Sequence, residues 1–137
     1  MLFWNVDKTT VAREVFHERL SALLESDEWI IDGNYLSTME WRLSFADTVF
    51  FLDYPTELCL AGAEARIGKP HTDLPWVENT PDEEFFSFIK AFSKDTRPQI
   101  LDLLAACPDK SIYVVFNLWF FTKRHFNVNH PGFYQVD

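Results

Sequence analysis

The sequence has little basic charge, few glycines and no glycine-rich phosphate loop. Only 12 lysines and arginines stand against 21 aspartates and glutamates, which gives a net charge of −9. That balance argues against a surface that grips duplex DNA, because such surfaces need clustered basic residues. No segment matches G-x-x-x-x-G-K-[ST], the loop whose backbone N–H groups cradle nucleotide phosphates. These residues therefore hold no triphosphate site of that type.

Cysteines and long apolar runs are also scarce. Cys59 and Cys107 lie far apart and match no metal-ligand spacing, and the four histidines show none either. The sequence therefore predicts two reduced thiols and no metal site. No apolar run approaches the ~20 residues of a membrane helix, and no basic stretch leads into an apolar one at the N-terminus. We expect a cytoplasmic protein without a membrane segment.

Apolar residues, in contrast, are plentiful. They make up 47% of the chain and include 14 phenylalanines, enough for a folded core in one domain of this length. Short, wholly apolar segments alternate with segments of helical periodicity, which is typical of an α/β layer fold with a parallel sheet covered on both faces. The predicted strands are 29–32, 48–52 and 112–116. The predicted helices are 11–26, 36–45, 56–67, 80–107 with a break at Pro98, and 118–126.

Two segments between these elements have a particular pattern. Residues 68–79 form the longest irregular stretch, and long internal loops are often lids or binding loops. The sequence Thr80-Pro81-Asp82-Glu83 predicts a helix start, with a threonine cap and proline at the first helical position. We expect a lid at about 66–80 and a domain that spans 1–126, followed by a tail at 127–137.

Two carboxylates end predicted strands. Asp32 follows the first strand, and Asp53 follows the second, before Pro55. Ligand groups gather at the carboxyl ends of parallel strands, so two acids there indicate metal or phosphate chemistry. An Asp-Gly hairpin turn is the alternative for Asp32, and a polar strand end is the alternative for Asp53.

The few arginines point in the same direction. Arg42, Arg66 and Arg97 each lie beside a strand end or the predicted lid. A planar guanidinium suits bidentate binding of phosphate. Each arginine taken singly is equally explained by a surface ion pair in so acidic a chain. Taken together with the strand-end acids, they indicate an anion site.

Several of these segments resemble one family, the adenylate-kinase-like P-loop proteins known as DNA topology modulation proteins. The resemblance runs from Leu2 to about Phe126, and its most specific part is the Asp-Gly-Asn-Tyr segment with the arginine and Ala-Asp that follow it. It implies a three-layer P-loop nucleotide-kinase-like fold with a parallel sheet. The segments that carry it are 29–35, Arg42, 46–53, Cys59-Leu60 and 96–101.

The resemblance also implies roles for particular residues. Asp32, Arg66 and Arg97 become catalytic candidates near the transferred phosphate. Gly33, Asn34, Tyr35 and Arg42 become substrate-binding candidates. The family uses ATP and magnesium to phosphorylate a small nucleotide-like acceptor. Its partners are therefore nucleotides or small phosphorylated molecules.

In the family a phosphate loop, a helix and a strand precede the segments seen here. We therefore expect an N-terminally truncated member that binds neither ATP nor magnesium by itself and is inactive as this chain, because phosphoryl transfer depends on that loop. The alternative is a non-catalytic remnant that binds a protein partner. The family's first strand lies between the equivalents of 29–32 and 48–52. We expect these two strands to pair directly, or the tail around 133–136 or another chain to fill the position, with self-association as a consequence.

Overall fold

The computed structural model describes residues 9–70 and 77–116 together with the backbone of 133–135. It is a mixed α/β structure with parallel strand pairs, as predicted. The helices are α1 (Arg13–Leu24), α2 (Leu36–Phe45), α3 (Thr56–Arg66), α4 (Glu83–Asp95) and α5 (Arg97–Ala105). The strands are β1 (Ile30–Asp32), β2 (Thr48–Leu52), β3 (Ser111–Val115) and β4 (Phe133–Gln135).

The chain divides into two compact units. The described part of the first unit is 9–46 with 133–135, and that of the second is 47–70 with 77–116. The core of the first unit forms on α1, where Phe16 and Leu20 are 2% and 0% exposed. Burying such side chains stabilises by about 1.5–3 kcal/mol each. Further members of this core are Val11, Leu23 and Leu24, with Trp29, Ile31, Tyr35 and Trp41 packed against them.

The tail strand belongs to the first unit. β4 pairs with β1 in parallel, with Ile30 opposite Phe133 and Asp32 opposite Gln135. The sequence analysis offered the tail as an occupant of the position between 29–32 and 48–52; its pairing with β1 is observed, and its placement between the two strands stays a prediction. Within the described residues, β1 and β2 belong to separate two-stranded sheets. Direct pairing of these two strands is therefore not observed.

The second unit contains the parallel pair β2 and β3. Thr48 lies opposite Ser111 and Leu52 opposite Val115, so each residue of β2 has a partner in β3. It continues at the carboxyl end, where the Asp53 N–H donates to Val115 O at 2.9 Å. Helix α4 packs against both α3 and α5. This register brings the carboxyl ends of β2 and β3 to the same edge.

The strands are less covered than their apolar sequences predict. Phe51 and Val115 are buried, but Phe50, Leu52 and Tyr113 are 45%, 52% and 54% exposed. These three lie on the same face of the ladder, where the Phe50 and Tyr113 rings stack at 5.1 Å. The prediction of strands buried on both faces is wrong at these three positions, although Val115, which lies opposite Leu52 on the same face, is buried. Hydropathy reports what a side chain prefers, whereas burial needs a covering layer.

The N-cap residue of α4 is not the one that the sequence predicts. Thr80 was the expected cap, but the cap is Asp82, whose carboxylate accepts from the N–H groups of Glu84 and Phe85 at 3.0 Å. A carboxylate also interacts favourably with the positive end of the helix dipole. The break near Pro98 is confirmed, because α4 ends at Asp95 and Pro98 lies in the first turn of α5.

Two predicted features fall outside the described residues. The helix predicted at 118–126 is one, and the middle of the predicted lid, 71–76, is the other. Among the residues that are described, no helix has both the length and the apolar character needed to cross a membrane.

Candidate functional site

The first group of candidate residues lies in the loop that joins β1 to α2. Asp32 ends β1 and is exposed, and Gly33 follows with φ of 120°, a conformation that favours glycine. Tyr35 is the N-cap residue of α2, and no side chain caps this helix. The Tyr35 ring instead meets Phe16 edge-on at 5.7 Å in the core. The loop is thus tied to the core through Tyr35.

Arg42 ties the same loop from the other end of α2. Its side chain is buried, with 8% exposed, and two of its nitrogens donate to loop carbonyls. Nη1 donates to Gly33 O at 2.9 Å, and Nη2 donates to Tyr35 O at 3.0 Å. Nε is buried without a hydrogen-bond partner. The structure therefore joins Arg42 to Gly33 and Tyr35, while its predicted contact with substrate stays a prediction.

The electrostatics of Arg42 combine two opposing effects. Burial lowers the pKa of its guanidinium, and the nearby carboxylate of Asp32 raises it. Arginine starts so high that it remains a cation at neutral pH. A permanent positive charge therefore lies under the loop, close to the acid that ends β1.

The second group of candidates centres on Asp53 and Arg97, which are 44 residues apart in sequence. Nε of Arg97 donates to Oδ1 of Asp53 at 2.8 Å, and Nη2 donates to Oδ2 at 2.7 Å. The side chain of Asp53 is 8% exposed and that of Arg97 is 37% exposed. The hydrogen bonds to Asp53 raise the pKa of Arg97. This bidentate pair links the end of β2 to the first residue of α5.

A cleft of about 300 Å³ opens beside this pair. That volume is at the lower end of the range for small-molecule sites. The cleft lies where β2 and β3 end, which is the edge where parallel sheets place their ligands. Its lining consists of Asp53, Tyr54, Pro55, Thr56, Ser93, Arg97 and Phe116.

The lining groups determine what the cleft can bind. Nη1 of Arg97 has no partner among the described residues, so one edge of the guanidinium remains able to donate. Thr56 and Ser93 contribute hydroxyl groups, and Phe116, which is 63% exposed, contributes an aromatic surface. Burial and the nearby Cys59 raise the pKa of Tyr54, which keeps its phenol neutral. These groups suit a small anion attached to an apolar body.

The surroundings of Cys59 favour its neutral thiol. Its Sγ lies 4.0 Å from Tyr54 O, and burial raises the pKa of its thiol. A raised pKa reduces the thiolate fraction at neutral pH, and the thiolate is the reactive form. The cysteine therefore serves as a small, half-buried packing residue.

The described ends of the predicted lid are connected to each other. Arg66 is exposed in the last turn of α3, and Gly68 follows with φ of 73°. The N–H of Gly68 donates to Glu78 O at 2.7 Å across the base of the segment. The lid residues between 71 and 76 lie outside the described part of the chain.

The structure brings together only some of the predicted site residues. Arg42 belongs to the first unit, whereas Arg66 and Arg97 belong to the second, and their convergence stays a prediction. Asp53 was identified from its position at a strand end. Phe116 could have been found in the same way, because it follows β3 directly. Ser93 carried no signal, because its place in the cleft depends on how α4 packs.

The protein itself engages part of each candidate guanidinium group. Arg42 is occupied by loop carbonyls, and two nitrogens of Arg97 are occupied by Asp53. In the described ranges, no three histidines, cysteines or acids cluster closely enough to hold a metal ion. The chain matches no protein-family model, no curated protein and no solved structure.

Proposed function

We propose that this chain is a nucleotide-kinase-like P-loop protein of three-layer fold, related to the DNA topology modulation proteins. Its parent activity is ATP-dependent phosphoryl transfer to a small nucleotide-like acceptor. The 137 residues contain no phosphate loop, so transfer by these residues alone is not expected. Their contribution is to bind and orient the phosphorylated acceptor.

The observation that carries this proposal is the cleft at the carboxyl ends of β2 and β3. Asp53 holds two nitrogens of Arg97 at 2.8 and 2.7 Å, which fixes the plane of the guanidinium. The remaining nitrogen, Nη1, is left to donate to an anionic oxygen. Phosphate recognition favours such a rigid planar donor, because little side-chain freedom is lost on binding. The exposed ring of Phe116 offers a surface for the body of a nucleotide.

The other candidate residues take supporting roles in the proposal. Arg97 contacts the phosphate of the acceptor, and Arg66 approaches it from the base of the lid. Asp32 lies at the end of β1, at the point where the family places the phosphates and magnesium. Gly33, Asn34, Tyr35 and Arg42 keep the substrate-binding role that the resemblance implies.

Binding of adenosine monophosphate to ¹⁵N-labelled protein tests the proposal. We expect weak binding, with the largest amide shift changes at Thr56 and Ser93. Arg97→Gln should abolish these changes because it removes the guanidinium from the cleft. The matched control is Arg13→Gln, which removes an exposed arginine from α1 and should leave the titration unchanged.

Calorimetry with magnesium–ATP gives the complementary result. We expect no micromolar binding, because backbone donors of a phosphate loop supply most contacts to a triphosphate. Micromolar binding would contradict the assignment of these residues to the acceptor side. Adenosine monophosphate shifts that persist in Arg97→Gln would contradict the role of the cleft.

A non-catalytic protein-interaction role is the alternative, and the exposed face of β2 and β3 favours it. Phe50, Leu52 and Tyr113 form an apolar surface there. Under this alternative the protein self-associates in sizing experiments, and Tyr113→Ser reduces that association without changing the adenosine monophosphate titration. A monodisperse protein at high concentration would remove the support for this role.

A further inference from the structure

The contacts of Arg42 define the orientation of two peptide groups in the loop between β1 and α2. Its guanidinium donates hydrogen bonds and accepts none, so each bond to a carbonyl fixes where that carbonyl points. Gly33 O and Tyr35 O both point toward Arg42, at 2.9 and 3.0 Å. Arg42 itself is 8% exposed and cannot swing into solvent without opening the core around it.

The trans peptide bond transmits this orientation to the next residue. The C=O and the following N–H of a trans peptide point in opposite directions, and the described residues contain no cis peptide. The N–H of Asn34 therefore faces away from the guanidinium, and so does the N–H of Leu36. The two backbone N–H groups on either side of Tyr35 therefore both point away from the Arg42 guanidinium.

We infer that Arg42 is the positioning residue of the loop formed by residues 33–35, and that contact with a ligand is made by the loop backbone and not by Arg42. The inference rests on the proposed function only for the identity of that ligand. It changes the role that the sequence assigned to Arg42. The arginine fixes the conformation of the loop through its two carbonyls, and the peptide N–H groups of the loop contact the ligand.

The geometry explains why the residue is an arginine. A guanidinium has separate nitrogens that reach two carbonyls at once, whereas an ammonium concentrates its donors on one nitrogen. Gly33 has φ of 120°, a conformation that favours glycine, and its carbonyl accepts a hydrogen bond from Arg42 at 2.9 Å. Tyr35 O also accepts from the Thr38 N–H at 3.3 Å, so Gly33 O is the carbonyl that depends most on Arg42.

NMR of the unmodified protein gives the first test, and it needs no ligand. A guanidinium held by two carbonyls rotates slowly, so its Nη groups should give separate signals. Couplings across the hydrogen bonds should connect Nη1 to the Gly33 carbonyl carbon and Nη2 to that of Tyr35. A single averaged Nη signal for Arg42, like that of an exposed arginine such as Arg13, would overturn the inference.

Chemical rescue gives the second test. In Arg42→Ala, the amide signals of Asn34 and Leu36 should shift, and added ethylguanidinium should restore them. Ethylammonium, which carries the same charge, should not. Equal restoration by both compounds would show that charge alone suffices and would overturn the positioning role. The amide of Leu20 in α1 reports whether the first unit remains folded.

Arg42→Lys keeps the test informative if the alanine variant does not fold. Lysine preserves the charge, but one of the two carbonyls, Gly33 O or Tyr35 O, should lose its hydrogen bond from residue 42. We expect hydrogen exchange at Thr38 to rise about fivefold to tenfold, the factor for loss of roughly one hydrogen bond. Unchanged exchange at Thr38 and unchanged signals at Asn34 would contradict the inference. Because these readouts need no nucleotide, they can fail while the adenosine monophosphate titration succeeds, and the reverse.

Discussion

Arg42 and Arg97 show two different uses of a guanidinium in one chain. Arg42, in the first unit, is buried and donates to the backbone carbonyls of its own loop. Arg97, in the second unit, is 37% exposed and donates to the carboxylate of Asp53. The first leaves Nε unpartnered inside the protein, and the second leaves Nη1 at the edge of a cleft.

The difference separates support from recognition. A buried arginine bonded to carbonyls organises the backbone, and the dipoles of those carbonyls and the nearby Asp32 compensate its charge. A partly exposed arginine bonded to a carboxylate has a fixed plane, and its Nη1 has no partner among the described residues, which suits contact with a ligand. Sequence position alone assigned both residues to ligand binding, although their surroundings differ.

The largest expected effect is that of Arg42→Met. Methionine fills the volume of the side-chain stem but leaves Gly33 O without a donor, while Tyr35 O keeps its bonds from Thr38. We expect the free energy of unfolding to fall by about 1–3 kcal/mol, the cost of one buried polar group left unpaired. Urea denaturation measures this loss. Arg13→Met, which changes an exposed arginine of α1, is the matched control, and an equal loss in both variants would mean that Arg42 does not hold the loop.

The next effect concerns the Asp53–Arg97 pair. Asp53 is the more buried partner, so Arg97→Met leaves a largely buried carboxylate unpaired. Asp53→Asn instead leaves an arginine that water can solvate. We therefore expect Arg97→Met to lower the melting temperature more than Asp53→Asn does. An opposite order in calorimetric melting would contradict the exposures of the two side chains.

Ionic strength should affect the two arginine variants differently. An ion pair with one solvent-accessible partner, such as Arg97, is screened in part at high ionic strength, whereas hydrogen bonds from a buried cation to carbonyls are screened much less. The effect of Arg97→Met should therefore shrink in about 1 M sodium chloride, where the screening length is ~3 Å. The effect of Arg42→Met should persist.

A smaller effect is expected at Thr38, which is 1% exposed. Its hydroxyl donates to Tyr35 O at 3.4 Å, a long bond that duplicates those from the Thr38 N–H and Arg42. Thr38→Val should lower the free energy of unfolding by about 0.5–1.5 kcal/mol, the usual net value of one hydrogen bond. A loss as large as that of Arg42→Met would mean that Thr38, and not Arg42, holds the loop.

The smallest expected effect is on the pH dependence of the alkylation rate of Cys59. Burial raises the pKa of this thiol, so its thiolate forms at higher pH in the folded protein than in the unfolded chain. In a Cys107→Ser background, alkylation by iodoacetamide should reach half its maximal rate at higher pH when the protein is folded. Any stability that Cys59 contributes is present below its ordinary pKa and is lost as pH rises through the folded value. Identical profiles in buffer and in urea would show that the thiol is solvated.

The sequence predicted local elements well and long-range contacts poorly. The bounds of α2 and β2 agree residue for residue, because each has a clear period and a clear stop signal. The Asp53–Arg97 pair was not predictable, since it depends on how α5 packs near the end of β2. The burial of Arg42 was not predictable either, because arginine is rarely buried and a helical pattern gives no sign of it. The cap at Asp82 was missed because two capping residues lie close together.

The hydrogen bond from Gly68 N–H to Glu78 O bears on how the length of the segment between them could change in evolution. It joins the two ends of the predicted lid at 2.7 Å, so α3 ends at the same place whatever lies between them. For a loop with fixed ends, doubling the length costs only about 0.6 kcal/mol in closure entropy. Insertions and deletions between Gly68 and Glu78 should therefore change the free energy of folding little. The number of residues between Gly68 and Glu78 can therefore change, and with it the distance that the segment can span, while its two ends stay joined.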